Sequence, residues 1–188
     1  MVQVVDNYHN EGVDLVYEYM GWLQGYYAEY CIQRGICKQL SIIDSGRVIG
    51  VLLYYAFADY VVIYYVIVER GHRGKGYGKA LISMLEKQYT AKTLFMASTS
   101  STNTHAVGLF KSLNYTILSR EEIVGRYGYS LLDLLTKLMC SYEDDVYMFK
   151  ALGGAYSLTM LRKLRNYSQG IIELWHNICY KPWIDLFK

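Results

Sequence analysis

The chain has 188 residues, 53% of them hydrophobic and 19% charged, and a net charge of +2 from 19 basic and 17 acidic side chains. That length suits one domain with a modest extension, and that composition excludes a disordered chain. So small a positive excess argues against broad nucleic-acid binding. Tyrosine is the outlier, with 21 Tyr against 5 Phe. Each can pack like Phe while its hydroxyl needs a partner or water.

Cys31, Cys37, Cys140 and Cys179 form no CxxC pair, and no His stands at a metal-ligand spacing from them. No metal site is expected. Asp6, His9 and Glu11 interrupt any apolar leader segment. Together these features predict a reducing, cytoplasmic setting with free, mostly buried thiols.

In chain order, Val2 to Val5 reads as a short strand. Residues 12 to 38 read as one or two helices, with Leu15, Tyr19, Trp22 and Tyr26 at helical spacing and breaks invited by Gly21, Gly25 and Gly35. Gln39 to Asp44, a Ser45-Gly46 turn and Arg47 to Phe57 predict a hairpin. Tyr60 to Val68 is the next strand. A glycine-rich loop then opens a helix over Tyr77 to Tyr89, and Lys92 to Ala97 is a strand. Asn103 caps a helix that runs through Lys111, Asn114 closes it, and Tyr115 to Leu118 is a strand. Within residues 121 to 144, Leu131 to Met139 is an apolar helix. Val146 to Ala151 is the last strand, Gly153-Gly154 a break, and Tyr156 to Arg165 and Ile171 to Tyr180 are helical. Helices and strands therefore alternate around a mixed sheet.

Val48 to Val68 is long and apolar enough to suggest a membrane helix, with basic residues after it. Asp59 at its middle and its density of Val, Ile and Tyr favour two buried strands joined by a tight turn near Ala58-Asp59-Tyr60 instead. No membrane association is expected.

The chemistry-bearing run is Val66-Ile67-Val68-Glu69-Arg70-Gly71-His72-Arg73-Gly74-Lys75-Gly76-Tyr77-Gly78-Lys79-Ala80-Leu81. A strand runs into a basic, glycine-rich turn and then a helix. Successive N–H groups and a helix N-terminus make an anion site, to which Arg73, Lys75 and Lys79 add charge. The nucleotide P-loop fails because Ala80 follows Gly78-Lys79, and the dinucleotide GxGxxG fails at Lys79. Arg73, Gly74, Lys75, Gly76, Tyr77 and Gly78 complete a third pattern, [Q/R]xxGx[G/A] directly after a strand.

That pattern resembles the GNAT superfamily of acyl-CoA N-acetyltransferases. Asn103-x-x-Ala106-x-x-Leu109-Phe110, Leu113-Asn114-Tyr115 and Asp145 to Leu152 resemble further elements of the family. The resemblance covers residues 1 to 152 and implies an α/β (α+β) fold with a mixed, splayed central sheet flanked by helices. Residues 153 to 188 then form a C-terminal helical extension. It implies acetyl-CoA as co-substrate, with the pantetheine arm on the backbone of Val66, Ile67 and Val68, and the N–H of Val68 or its immediate neighbour as oxyanion donor. The pyrophosphate would sit on the loop from Arg73 through Gly74, Lys75, Gly76, Tyr77 and Gly78 to Lys79. Asn103 would contact the pantetheine or organise the strands, and Phe110 would pack by the thiol.

The sequence departs from the family where acid and base groups are common: Val62, Ser98 and Phe110 stand there. Tyr64, which shares a strand face with Val66 and Val68, and Glu69 are the candidate catalytic groups, with His105 near the same region. Positioning alone is a second explanation. A third is a non-catalytic acyl-CoA-binding or interaction module on the same fold. The Glu143-Asp144-Asp145 run reads as a solvated loop. Residues 12 to 38 and 121 to 144, with Glu29, Tyr127, Tyr129 and Tyr142, would set the amine acceptor, a protein N-terminus, a lysine or a small amine. The tail's apolar faces, from Leu158 to Cys179, predict packing on the domain or on a second subunit of a homodimer.

Overall fold

Among the residues that the computed structural model describes, 2–6, 10–90, 92–152 and 157–188 (side chains of the last stretch from 159), seven strands form one mixed, splayed sheet. Their order is β1-β2-β3-β4-β5-β7-β6. The strands are β1 (Gln3–Val5), β2 (Lys38–Asp44), β3 (Arg47–Phe57), β4 (Tyr60–Val68), β5 (Leu94–Thr99), β6 (Thr116–Ser119) and β7 (Val146–Ala151). The chain divides into two compact units, residues 1–56 with 63–90 and residues 57–62 with 91–188.

In the first unit, β2 and β3 pair antiparallel through Ser45 and Gly46, whose φ angles of 52° and 82° give the two-residue turn that suits strand twist. The register shifts between Ile42 and Ile43, leaving Ile49 as an extra residue on β3. Helix α1 (Asn10–Met20) buries Val13, Leu15 and Val16, and α2 (Trp22–Gln33) buries Ala28 and Cys31. Leu15, Val16, Ala28, Val48, Val51, Leu53 and Ile67 make one core cluster, each buried Leu, Ile or Val among them stabilising by roughly 1.5–3 kcal/mol. Gly21, with φ 98°, makes the break between the helices. Gly25 lies inside α2 rather than breaking it. A Cβ there would meet the Tyr17 ring at 2.3 Å, so the missing side chain lets the helices approach. Helix α3 (Tyr77–Lys87) buries Leu81, Ile82 and Leu85.

The second unit holds the start of β4, which pairs parallel with β5 from Tyr60↔Leu94 to Val62↔Met96. The antiparallel β5–β7 ladder runs the length of β5. Asn103 caps α4 (Thr104–Lys111) by accepting the Ala106 N–H, and Asn114, at φ 63°, ends the turn after it. Two helices, not one, fill residues 121 to 139: α5 (Arg120–Tyr127) and α6 (Tyr129–Met139), with Gly128 at φ 82° between them. Ser119 and Glu122 form a reciprocal capping box at the start of α5, worth about 1 kcal/mol. Helices α7 (Ser157–Lys163), α8 (Ser168–Trp175) and α9 (Lys181–Asp185) follow. The Tyr60 hydroxyl donates to the Met160 carbonyl at 2.8 Å, and the Tyr167 ring meets Phe57 and Tyr60 edge-on. Gly153-Gly154, Tyr156 and the Leu158 side chain lie outside the described residues.

Val48 to Val68 forms β3 and β4 joined by a turn at Ala58-Asp59, with Ala58 at φ 50°. No described helix is long and apolar enough to cross a membrane. The expectation of free thiols is overturned. Cys31 is bonded to Cys37 and Cys140 to Cys179, with Cα separations of 5.2 and 6.0 Å, both in the bridging range. The first pair forms because the turn after α2 folds back, the N–H groups of Ile36 and Cys37 both donating to the Cys31 carbonyl. The second joins residues far apart in sequence, which no spacing rule reveals.

Candidate functional site

In the first unit, β4 ends in a short 3₁₀ turn, Arg70–His72, and the chain reaches α3 through Gly74 and Gly76 at φ 77° and 83°. A Cβ at either glycine would meet nothing within 4 Å, so conformation and not space demands glycine here. The loop faces open surroundings. The first N–H of α3 with a backbone acceptor is that of Ala80, to the Gly76 carbonyl at 3.0 Å. The amides of Tyr77, Gly78 and Lys79 are the orphan donors that a helix start leaves. Lys75 and Lys79 are exposed beside them. This is a backbone-lined anion cradle with cationic flanks.

Side chains brace the segment that leads into the cradle. Glu69 pairs with Arg47, and His72 Nδ1 lies 2.8 Å from its carboxylate. The Arg47 guanidinium, with His72, holds the Glu69 carboxyl below its usual range. The Glu69 N–H donates to the Ile49 carbonyl at 2.9 Å, at the extra residue of β3. Arg73 turns back on the chain: its Nε donates to the Val68 carbonyl at 2.9 Å and its N–H to the Arg70 carbonyl at 3.3 Å. Its guanidinium lies 5.2 Å from the centre of the Tyr19 ring. The Tyr19 hydroxyl in turn accepts the Arg70 N–H at 3.1 Å. Tyr19, on α1, is a brace that sequence reasoning did not identify.

Of the strand residues, Ile67 is buried in the core, while Val66 and Val68 are half-buried. The Tyr64 ring packs at a tilt against Tyr65, centroids 4.4 Å apart, and meets Tyr55 edge-on. Burial, then the neighbouring tyrosines, pushes its phenol well above the usual range, so it keeps its proton. Glu29 accepts from the Tyr17 hydroxyl at 2.8 Å and from Gln33 at 2.9 Å.

In the second unit, Val62 is buried opposite Met96. Phe110 is buried edge-on against Tyr115. Asn103 is exposed, and besides capping α4 it donates to Thr99 Oγ1 at 3.2 Å, tying the helix start to the end of β5. His105 is exposed. The acidic run is not simply solvated. Ser98 Oγ donates to Asp144 Oδ2 at 2.5 Å, and Ser101 donates its N–H and hydroxyl to the two Asp145 oxygens at 2.6 and 2.7 Å. Glu143 alone of the three is exposed. The physical reason is register: β7 opens opposite the end of β5, with Thr99 facing Val146, which carries the two residues before β7 onto the Ser98–Ser101 hydroxyls. Tyr129 and Tyr142 are exposed, and Tyr127 is partly covered by Arg162. No group of acidic, His or Cys side chains among the described residues could hold a metal ion.

A family model described as the Acetyltransferase (GNAT) family matches residues 7–115, more than half of the chain. No curated protein matches it. Among solved structures, a GNAT-family acetyltransferase from Staphylococcus aureus superposes with a TM-score of 0.60 at 9% identity, covering 81% of this chain and 99% of that one. The ribosomal-protein-S18-alanine N-acetyltransferase from Escherichia coli gives 0.56 at 15% identity, covering 82% and 96%. Arabidopsis thaliana NAA60, solved with a bisubstrate analogue, gives 0.56 at 15% identity, covering 79% and 96%. At these identities the likeness is one of fold.

Proposed function

Since the chain belongs to the GNAT family of acetyltransferases, we propose that it transfers the acetyl group of acetyl-CoA to a primary amine by direct attack of the nitrogen on the thioester. The observation that carries this reading is the strand–loop–helix with Gly74 and Gly76 at positive φ and free amides at the start of α3. The amides from Gly74 to Gly78 would hold the pyrophosphate, with Lys75 and Lys79 adding charge. Arg73 supports the loop through its side chain. The backbone of Val66, Ile67 and Val68 would pair with the pantetheine arm. The N–H of Val68 or its immediate neighbour would be the oxyanion donor, and the engagement of the Glu69 N–H with the Ile49 carbonyl supports Val68 over Glu69. Asn103 holds the α4 start against β5, and Phe110 would pack near the thiol. Tyr64, which keeps its proton, suits donation to the departing thiolate. Glu69, held ionised by Arg47, suits anchoring the loop more than accepting a proton.

The acceptor in this reading is a protein N-terminus, a lysine or a small amine, with the exposed Tyr129 and Tyr142 available to a cation. The Escherichia coli structure of like fold, named for acetylating an alanine of a ribosomal protein, favours a protein acceptor. A second reading, an acyl-CoA-binding module without turnover, draws on the absence of a proton-carrying side chain at Val62 and Phe110. A cytoplasmic location belongs to the first reading. The two disulfides weigh against it, because such bonds are rare in reducing compartments outside hyperthermophiles. Alkylating the thiols in fresh lysate decides: four modified cysteines support it, and none argues against it.

Thermal unfolding with and without acetyl-CoA tests the cofactor. A ligand at about 100 times its Kd adds roughly 2.7 kcal/mol, which raises Tm by roughly 5–10 °C for this size. A rise with acetyl-CoA and none with NAD is expected. No rise at saturating acetyl-CoA overturns both readings, and binding without thiol release leaves the second.

A further inference from the structure

Charge is unevenly spread along the chain. All 19 basic residues stand from Arg34 onward, and residues 1 to 33 hold five carboxylates, Asp6, Glu11, Asp14, Glu18 and Glu29. The last four lie on α1 and α2, which carry no Lys or Arg. Helix α2 also carries an aromatic ladder. Trp22, Tyr26 and Tyr30 recur every fourth position and share one face. The Trp22 and Tyr26 rings stack with centroids 5.8 Å apart, and Tyr26 meets Tyr30 at 6.0 Å. Gly25, Ala28 and Cys31 are the buried residues of α2, on its opposite face. Trp22, the end rung, is 63% exposed.

Carboxylates flank the ladder. The Tyr17 hydroxyl, on α1, donates to Glu29 at 2.8 Å. Its phenol is pushed up to about 12, first by burial, then by Glu29, Tyr26 and Asp14. Asp14 and Glu29 thus lie by the Tyr26 rung. Asp14 and Glu18, one turn apart on α1, are exposed. The chain already lays its own cations on this helix pair. The Arg34 guanidinium is 4.3 Å from the centre of the Tyr30 ring, and that of Arg73 is 5.2 Å from the centre of Tyr19. Ring faces beside carboxylates attract a cation through quadrupole and charge together.

We propose that the Trp22–Tyr26–Tyr30 face of α2 is a docking surface for a basic polypeptide segment, whose Arg or Lys side chains lie on the rungs as Arg34 lies on Tyr30. Length favours a segment over a single amine. The stripe from Trp22 to Arg34 is about 18 Å long, the reach of about five residues of extended chain. Charge sets the partner's sign. A second copy would bring its own carboxylates against these, and an anionic bilayer or a nucleic acid would be repelled. Docking here needs no acetyl-CoA, so it stands apart from the acetyl-transfer reading.

The test is calorimetric titration of the full chain with a peptide of alternating Arg and Gly. It is blocked at its N-terminus and free of lysine, so it offers no amine to acetylate. The same peptide with Glu for Arg is the counterpart, and spermine is the small cation. The Arg peptide should bind, more weakly as salt rises from about 0.05 M to about 1 M. The Glu peptide should not bind, and spermine should bind about tenfold more weakly or less. Trp22→Ala should weaken the Arg peptide roughly two- to fivefold, and Trp22→Ala with Tyr26→Ala roughly 5- to 30-fold. Trp22→Tyr keeps a ring and should stay within about twofold of wild type. Asp14→Asn with Glu18→Gln leaves the ladder intact and should weaken binding at low salt only. No binding of the Arg peptide, or equal binding of the Glu peptide, overturns the proposal. So does a W22A/Y26A variant within about twofold of wild type. Should that variant melt early, unchanged low-salt affinity in D14N/E18Q overturns it instead. Spermine as tight as the peptide overturns the segment in favour of a small cation. A wild-type dimer in sedimentation that Trp22→Ala dissociates gives the face to a second copy and overturns it too.

Discussion

The loop of the first unit and the corner of the second are built from opposite materials. Residues 74–79 present main-chain amides, and the side chains nearby (Glu69, Arg73, Tyr19) hold the main chain that leads into them, residues 68–73. The corner at the end of β5 is made of side chains holding side chains: Ser98 with Asp144, Ser101 with Asp145, Asn103 with Thr99. The first arrangement suits a constant ligand such as pyrophosphate, because amides approach it whatever the flanking residues are. The second has groups that titrate, and so ties stability to pH. The division teaches where substitutions act: backbone changes should strike affinity, side-chain changes should strike the pH dependence of stability.

Gly76→Val should break the first arrangement hardest. A β-branched residue at φ 83° costs about 1–3 kcal/mol, which would weaken acetyl-CoA binding by roughly 5- to 150-fold. Calorimetric titration with acetyl-CoA measures it. Tyr19→Leu removes both the acceptor for the Arg70 N–H and the ring under Arg73, and should raise the KM for acetyl-CoA by about tenfold with little change in kcat. Tyr19→Phe keeps the ring and should raise it by only about two- to fivefold. If Tyr19→Phe matched Tyr19→Leu, the ring contact would contribute nothing.

The smallest effects lie in the pH dependence of stability, and they should differ in sign across the corner. The Ser101 bonds hold the Asp145 carboxyl below its usual range, so its contribution is present above the usual carboxylate range and lost as pH falls through its own value. Asp145→Asn should therefore melt lower at neutral pH, with the gap closing in acid. Burial is the main cause that pushes the Asp144 carboxyl up. Its contribution is present below the usual range and lost as pH rises through its own value, so Asp144→Asn should melt no lower than wild type at neutral pH. Thermal scans from pH 3 to 8, roughly the range carboxylates span, check both.

The same contrast explains what was legible in the sequence. The loop could be read because its residues are consecutive and glycine is required at particular φ angles. The hairpin at Ser45-Gly46, β4 and the Asn103 cap were legible for the same local reason. Helix α5 was missed although Ser119 and Glu122 carry a capping signature. Its run of charged residues and Gly125 hide the apolar period, and Ile123 alone is buried. Gly25 reads as a break in the sequence because only the Tyr17 ring, from another helix, explains it. Asp144 could not be placed, since its partner stands 46 residues away and comes to it through the β5–β7 register. The cysteine pairs failed likewise, where chain distance says nothing of spatial distance.

The Cys140–Cys179 bond makes the stretch between them, with its separation of 39 positions, a closed ring of covalent chain. A single protease nick anywhere in that ring, such as among residues 164 to 175, severs the backbone without releasing a fragment. On a non-reducing gel the nicked protein travels as one molecule of 21.8 kDa, and reductant separates it into two pieces. Helix α8 is thereby tethered to the rest of the chain from both ends, so local opening there ends in reclosure instead of loss.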